Sequence, residues 1–186
     1  MPLPKNAKRV FKGKIFDVYQ WRQKMFDGSY HTFEWVKRQD SVIIIASVKN
    51  KIVILRQKQP RTSWFYSTPA GRMDIPGEKP MQAAKRELLE ETGMASKEIF
   101  LWKKYQKVGK VTATVNIYIA RNCEKVSNQK LDAGEKIKVS LVPFEEFLKL
   151  SDDPGSQHWL GETLIDMFKA RIDRKYKKYF KKVIFG

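Results

Sequence analysis

Histidine and cysteine are scarce in this chain: among 186 residues there are two His, His31 and His158, and one Cys, Cys123. A single thiol excludes an internal disulfide, and so few nitrogen and sulfur donors exclude a zinc site of the Cys/His kind. Cys123 reads as a small buried hydrophobe rather than a nucleophile. Long apolar runs are missing as well. The longest, "VIIIASV" from Val42 to Val48, falls well short of the roughly 20 residues that span a bilayer, and the opening "MPLPKNAKRVFKGK" has no apolar signal core. A soluble, cytoplasmic protein with no membrane partner is expected. Acidic residues are the third shortage, 20 Asp and Glu against 37 Lys and Arg, for a net charge of +17. Such a charge attracts polyanions, whether nucleic acid, phosphorylated metabolite or anionic surface, without choosing among them.

With 42% hydrophobic residues over this length, the chain can bury the core of one domain. No internal repeat or long linker divides it. "KIFDVYQWRQKMF" and "SYHTFEWVKR" flank Asp27-Gly28, a dipeptide suited to a tight turn, so an N-terminal β-hairpin is predicted over residues 1–36. "SVIIIASV" and "IVILRQKQ" read as two buried strands. A helix is predicted from Pro80, suited to a first turn, to Thr92, with Gly93 as its left-handed cap. "EIFLWKKYQK", "VTATVNIYIAR" and "KIKVSLV" read as further strands and "FEEFLKL" as a short helix. Leu160, Leu164, Met167, Phe168 and Ile172 recur at helical spacing. The elements imply an α/β class with a mixed sheet packed between helices, its main domain spanning 37–172. The last stretch, 173–186, reads as a basic tail. From Lys169 onward, eight cations meet one Asp, which suits a solvated helix face better than a nucleic-acid arm.

Against this basic background the acids of "KRELLEETG" stand out. On a helix, Met81, Ala84 and Leu88 share a core-facing side, while Glu87 and Glu91 lie one turn apart with Glu90 beside them. Like charges at i and i+4 destabilise a helix by about 0.2–0.5 kcal/mol, and anions near its C-terminus meet the negative end of the dipole. A bound cation is the simplest compensation, and hard oxygen donors favour Mg²⁺ or Mn²⁺.

The stretch from Gly71 to Met94, "GRMDIPGEKPMQAAKRELLEETGM", resembles the Nudix box. That pattern is Gly, five residues, Glu, seven residues, Arg-Glu, an aliphatic residue, any residue, Glu-Glu, any residue, Gly and an aliphatic residue. Here six residues, not five, separate Gly71 from Glu78, and every later position fits. The resemblance covers most of Arg38 to Val142 and implies a Nudix-like α/β/α sandwich. It also implies a hydrolase of nucleoside diphosphates linked to another group. In its terms Glu87, Glu90 and Glu91, with the carbonyl of Ala70 and support from Glu78, hold divalent metal, and Arg86 orients the acids. The general base is expected on the loop "LDAGEKIKV", at Glu135 with Asp132 in reserve. Glu90 and Arg86 are counted with Glu135 among the catalytic residues.

The N-terminal strands are similar to those of the ADP-ribose and ADP-sugar branch, where such strands support homodimers. Arg38 and Arg56 are the expected substrate contacts. Ser67 of "STPAG" stands where that branch often has Glu, and Gln59 where it often has Arg. Any nucleoside diphosphate sugar therefore stays open as the small-molecule partner. The alternatives are hydrolysis at an RNA 5′ end, drawing on the basic surface, and a non-catalytic nucleotide-binding module. Trp64, Phe65, Tyr66, Trp102 and Tyr105 are the aromatics nearest the box, and in strands they suit the core better than a base-stacking platform.

Overall fold

The computed structural model describes residues 3–107 and 109–186; Met1, Pro2 and Val108 lie outside the described residues. The chain opens with β1 (Lys8–Lys12), β2 (Phe16–Lys24) and β3 (Tyr30–Arg38), an antiparallel meander. The predicted hairpin is thus the inner part of a larger sheet, because β1 adds to one edge. The connection at Asp27-Gly28 is as expected, with Gly28 at φ 86° and Asp27 Oδ1 accepting from the Ser29 amide.

The two buried runs form β4 (Ser41–Val48) and β5 (Lys51–Lys58), with short β6 (Phe65–Ser67) and β7 (Ala70–Arg72) leading into helix α1 (Pro80–Thr92). After it come β8 (Met94–Ala95), β9 (Glu98–Gln106), β10 (Val111–Thr112), β11 (Thr114–Arg121), β12 (Glu124–Lys125) and β13 (Lys136–Pro143). Ala113 divides the predicted "VTATVNIYIAR" strand. Its first part, β10, joins β3 of the N-terminal sheet, and its second, β11, runs parallel to β4 in the centre of the main sheet. The main sheet has the order β13-β5-β4-β11-β9, with β6 beside β5 and β7 beside β4.

Helices cover both faces, which is why β4 and β5 are continuously apolar rather than alternating. Successive residues point to opposite faces. Val42, Ile44 and Ala46 pack with Ala83, Ala84 and Leu88 of α1, whereas Ile43 and Ile45 pack with the C-terminal helices. Those are α2 (Phe144–Lys149), α3 (Pro154–Leu160), α4 (Thr163–Ile172) and α5 (Arg174–Phe185). The expected α/β/α sandwich is therefore present.

Two expectations about the C-terminus change. The helical spacing from Leu160 to Ile172 is split between α3 and α4, because Gly161 adopts φ 57°, ψ −138° and ends the first helix. Only Leu160 and Met167 of that set are fully buried, and Ile172 is 86% exposed. The stretch 173–186 is not a detached tail. Asp173 caps α5 by accepting from the Lys175 and Tyr176 amides, and Phe180 and Ile184 are wholly buried, Phe180 stacked on Trp102 at 5.2 Å.

Candidate active site

Helix α1 begins with Pro80 in its first turn and the Lys79 amide donating to Gln82 Oε1 at 2.8 Å. It ends at Gly93, which takes φ 68° and donates its N–H to the Leu89 carbonyl. The carbonyls left over at such an end need partners. The following loop supplies them: the Lys130 amide donates to the Glu90 carbonyl at 2.8 Å, Gln129 Nε2 to the Glu91 carbonyl at 2.5 Å and Lys125 Nζ to the Thr92 carbonyl at 2.8 Å. This tethering draws the segment holding Asp132 and Glu135 over the acidic end of the helix.

A cleft of about 670 Å³ opens there. Glu87, Glu90 and Glu91 of α1, Ala70 and Gly71 of β7, and Asp132 and Glu135 of the loop line its acidic side. Arg38, Arg72, Lys107 and Lys130 bring cations to the same space. The third wall is α3, through His158 and Trp159, with Gly161 and Glu162 just beyond it.

Arg86 binds the acids into one unit. Its Nε and Nη2 donate to the two oxygens of Glu78 at 2.8 and 3.0 Å, Nη1 donates to Glu87 Oε1 at 2.7 Å and Glu90 Oε2 at 3.1 Å, and Nη2 also reaches the Arg72 carbonyl. Glu78 is consequently a partner of Arg86, with only 6% of its side chain exposed, and does not line the cleft. Glu91 is 5% exposed and accepts the Ala70 amide at Oε2, 2.9 Å away. Burial pushes the Glu87 carboxyl up to about 7 against the pull of Arg86, with Glu90 and Glu135 adding to the rise. Burial likewise lifts Glu91 well above the usual carboxylate range, and it raises Glu135, helped by Asp132 and Glu90. Gly71 makes this packing possible: a Cβ there would stand 2.0 Å from the Glu87 carboxyl carbon.

These are hard oxygen donors, partly buried and mutually repelling, and their chemistry fits a divalent cation. Among the described residues, no three Asp, Glu, His or Cys side chains are already gathered as an ion cage, since Arg86 Nη1 stands between Glu87 and Glu90. The fit lies in donor type and burial.

Of the residues expected from sequence, Glu87, Glu90, Glu91, Ala70, Arg86, Glu135, Asp132 and Arg38 all meet at the cleft. Arg56 does not. It is exposed on β5, with its guanidinium over the Trp64 ring at 5.0 Å, because the side chain next to it, Gln57, takes the inward position. Sequence reasoning missed Gln57, Lys107, Lys130 and the α3 wall. The wall had a usable signal in Asp153-Pro154, an N-cap followed by a first-turn proline, and Asp153 does accept from the Gly155 amide.

An α/β/α sandwich that turns buried carboxylates onto a cleft edged with cations is the scaffold of an enzyme class that works on phosphate anions. The NUDIX domain model matches residues 37–162, and the chain belongs to that family of hydrolases. It is 30% identical over 146 residues to the ADP-ribose pyrophosphatase of Bacillus subtilis (strain 168), covering 76% of this chain and 78% of that protein. It is 27% identical over 164 residues to an RNA pyrophosphohydrolase of Francisella tularensis subsp. mediasiatica (strain FSC147), covering 79% and 95%. Among solved structures, an ADP compounds hydrolase superposes with a TM-score of 0.71 at 20% identity, covering 91% of this chain and 95% of that one, which supports the fold.

Proposed function

We propose that the protein hydrolyses the diphosphate of ADP-ribose or a related nucleotide sugar, releasing two monophosphates, with Mg²⁺ or Mn²⁺ as cofactor. The observation that carries this reading is the convergence of Glu87, Glu90, Glu91 and Glu135 on one cation-edged cleft, with Glu91 buried, Glu87 nearly so, and both carboxyls raised. Glu87, Glu90 and Glu91, with the Ala70 carbonyl, would hold the metal. When bound, divalent ions neutralise phosphate oxygens and lower the pKa of bound water. Arg86 keeps Glu78, Glu87 and Glu90 in register. Glu135 takes the proton from the attacking water as the P–O bond to the leaving phosphate breaks. Arg38, whose buried Nε has no hydrogen-bond partner among the described residues, contacts the substrate phosphate or base.

A cleft of about 670 Å³ lies within the range of small-ligand sites and has room for a nucleotide sugar. The chain is expected to work in the cytoplasm. A homodimer through the N-terminal sheet is consistent with Val10, Phe11, Phe16 and Phe26 being exposed there. The deciding experiment is a substrate panel with magnesium or manganese, read by product mass. AMP plus a sugar phosphate is the expected outcome, and no phosphate-containing product from any substrate would leave only a binding module. Glu135→Gln should lower kcat by about 10²-fold. A near-normal rate would pass the role of base to Asp132.

A further inference from the structure

Gln57 is 6% exposed, yet its side chain lines the cleft. One arm of its amide is fixed: Nε2 lies 2.5 Å from Ser67 Oγ, itself buried and lining the same space. The other arm, Oε1, is buried with no hydrogen-bond partner among the described residues. Turning the amide end for end does not remove the deficit. Ser67 can donate to Oε1 as readily as it can accept from Nε2, so in either orientation one arm of Gln57 is left without a partner. Buried polar groups are overwhelmingly paired, so an orphan at the edge of a cleft is met by water or by a ligand atom that takes the water's place.

The two orientations demand opposite things. In one the ligand must donate, in the other it must accept. A hydroxyl does both, whereas a phosphate oxygen at neutral pH only accepts. Other polar groups stand in the same cleft. Glu162 contributes a carboxylate steadied by Lys107 at 3.5 Å, and His158 and the half-buried Trp159, whose ring stacks on Phe65 at 4.1 Å, form the wall beside it.

We infer that Gln57 and Ser67 form the floor of a subsite for a hydroxyl-bearing sugar, the group joined to the nucleoside diphosphate. This rests on the proposed pyrophosphohydrolase activity and deepens it: the pair selects polyhydroxylated leaving groups over substrates lacking them.

The test compares kcat/KM for ADP-ribose with that for the methyl ester of ADP, which keeps the scissile diphosphate and has no sugar beyond it. Gln57→Met preserves shape and removes the amide. The ratio of the two kcat/KM values is expected to fall by about 10-fold or more relative to wild type, because a buried polar site discriminates strongly by hydroxyl pairing. Ser67→Ala, which unpins the amide, should lower the same ratio less and carries the test if Gln57→Met does not fold. A ratio within twofold of wild type in a folded variant overturns the subsite, even if both rates drop together. If wild-type protein cleaves neither compound, the activity itself fails and the subsite falls with it. Cleavage of the methyl ester by wild type with an unmoved ratio in the variants rejects the subsite alone.

Discussion

Helices α1 and α5 pack against opposite faces of one sheet, and both are amphipathic. They treat charge in opposite ways. On α5, Phe180 and Ile184 are wholly buried while Lys175, Lys178, Lys181 and Lys182 stand in solvent, and Arg121 donates to the Lys182 and Val183 carbonyls at the helix end. Lys177 and Lys181, and Lys178 and Lys182, are like charges one turn apart, as Glu87 and Glu91 are on α1, but on α5 the repulsion is spent largely in water. On α1, Ala83, Ala84 and Leu88 are buried as expected, but Glu91 is buried with them and Glu87 nearly so, at the helix end that disfavours anions. The basic helix leaves most of its like charges in solvent, where their repulsion is screened. The acidic one takes some of its charges out of water, at a cost that a functional demand explains. Burial of charge, rather than its abundance, marks the site.

The widest separation between the helices should come from Glu91→Gln. Removing one carboxylate from the set is expected to reduce kcat by about 10²–10³-fold, comparable to losing one preorganised charge-stabilising group. Stability should hold or rise, because an amide can still accept the Ala70 N–H while no longer burying a charge that repels Glu87 and Glu135. Thermal unfolding and steady-state turnover read the two effects separately. Normal activity would mean that α1 is as structural as α5.

Gly71→Ala probes the same helix from the facing strand. The added methyl would stand 2.0 Å from the Glu87 carboxyl carbon and 2.0 Å from Oε1, so this side chain must move. Overpacking of this kind costs about 1–3 kcal/mol of stability, and the displacement of Glu87 should lower kcat by about 10-fold or more. Circular dichroism melting with turnover at saturating metal checks both. A variant that melts early but keeps its rate would show that Glu87 tolerates displacement.

Much of this geometry is legible in the sequence because it depends on local chemistry. Pro80 and Gly93 bracket α1 where the turn rules put them, and the buried runs of β4 and β5 follow from a sheet covered on both faces. What escapes depends on long-range pairing. β1 has no buried residue, so no periodic pattern announces it; it exists because β2 offers an edge. Gln57 and Arg56 alternate along β5, and which of the two faces the cleft is set by the pairing of Gln57 with Phe65 of β6 and Ile137 of β13. The α3 wall forms because Ser156 accepts the Tyr66 amide at 2.7 Å across ninety residues of sequence. The stretch 173–186 reads as a tail because its six cations face a single Asp; Phe180 and Ile184, one turn apart, are enough to seat it.

The smallest expected effect tests the other side of the comparison. None of the residues of α5 lines the cleft, and its exposed Lys178, Lys181 and Lys182 border a separate groove with Phe144 and Phe185. At physiological ionic strength, charges beyond about 8 Å in solvent are largely screened. Replacing these three lysines together by Gln should therefore change kcat/KM for a small nucleotide sugar by less than about twofold. For an RNA substrate that crossed this face, the same change would flatten the dependence of log KM on log salt, by about 0.7 for each single-strand phosphate that the lysines no longer neutralise. Measured on both substrates across a salt series, an unchanged profile leaves α5 as a structural helix with a solvated face. A weaker KM on RNA alone would give the basic face a ligand of its own, and abundance of charge would then mark function alongside its burial.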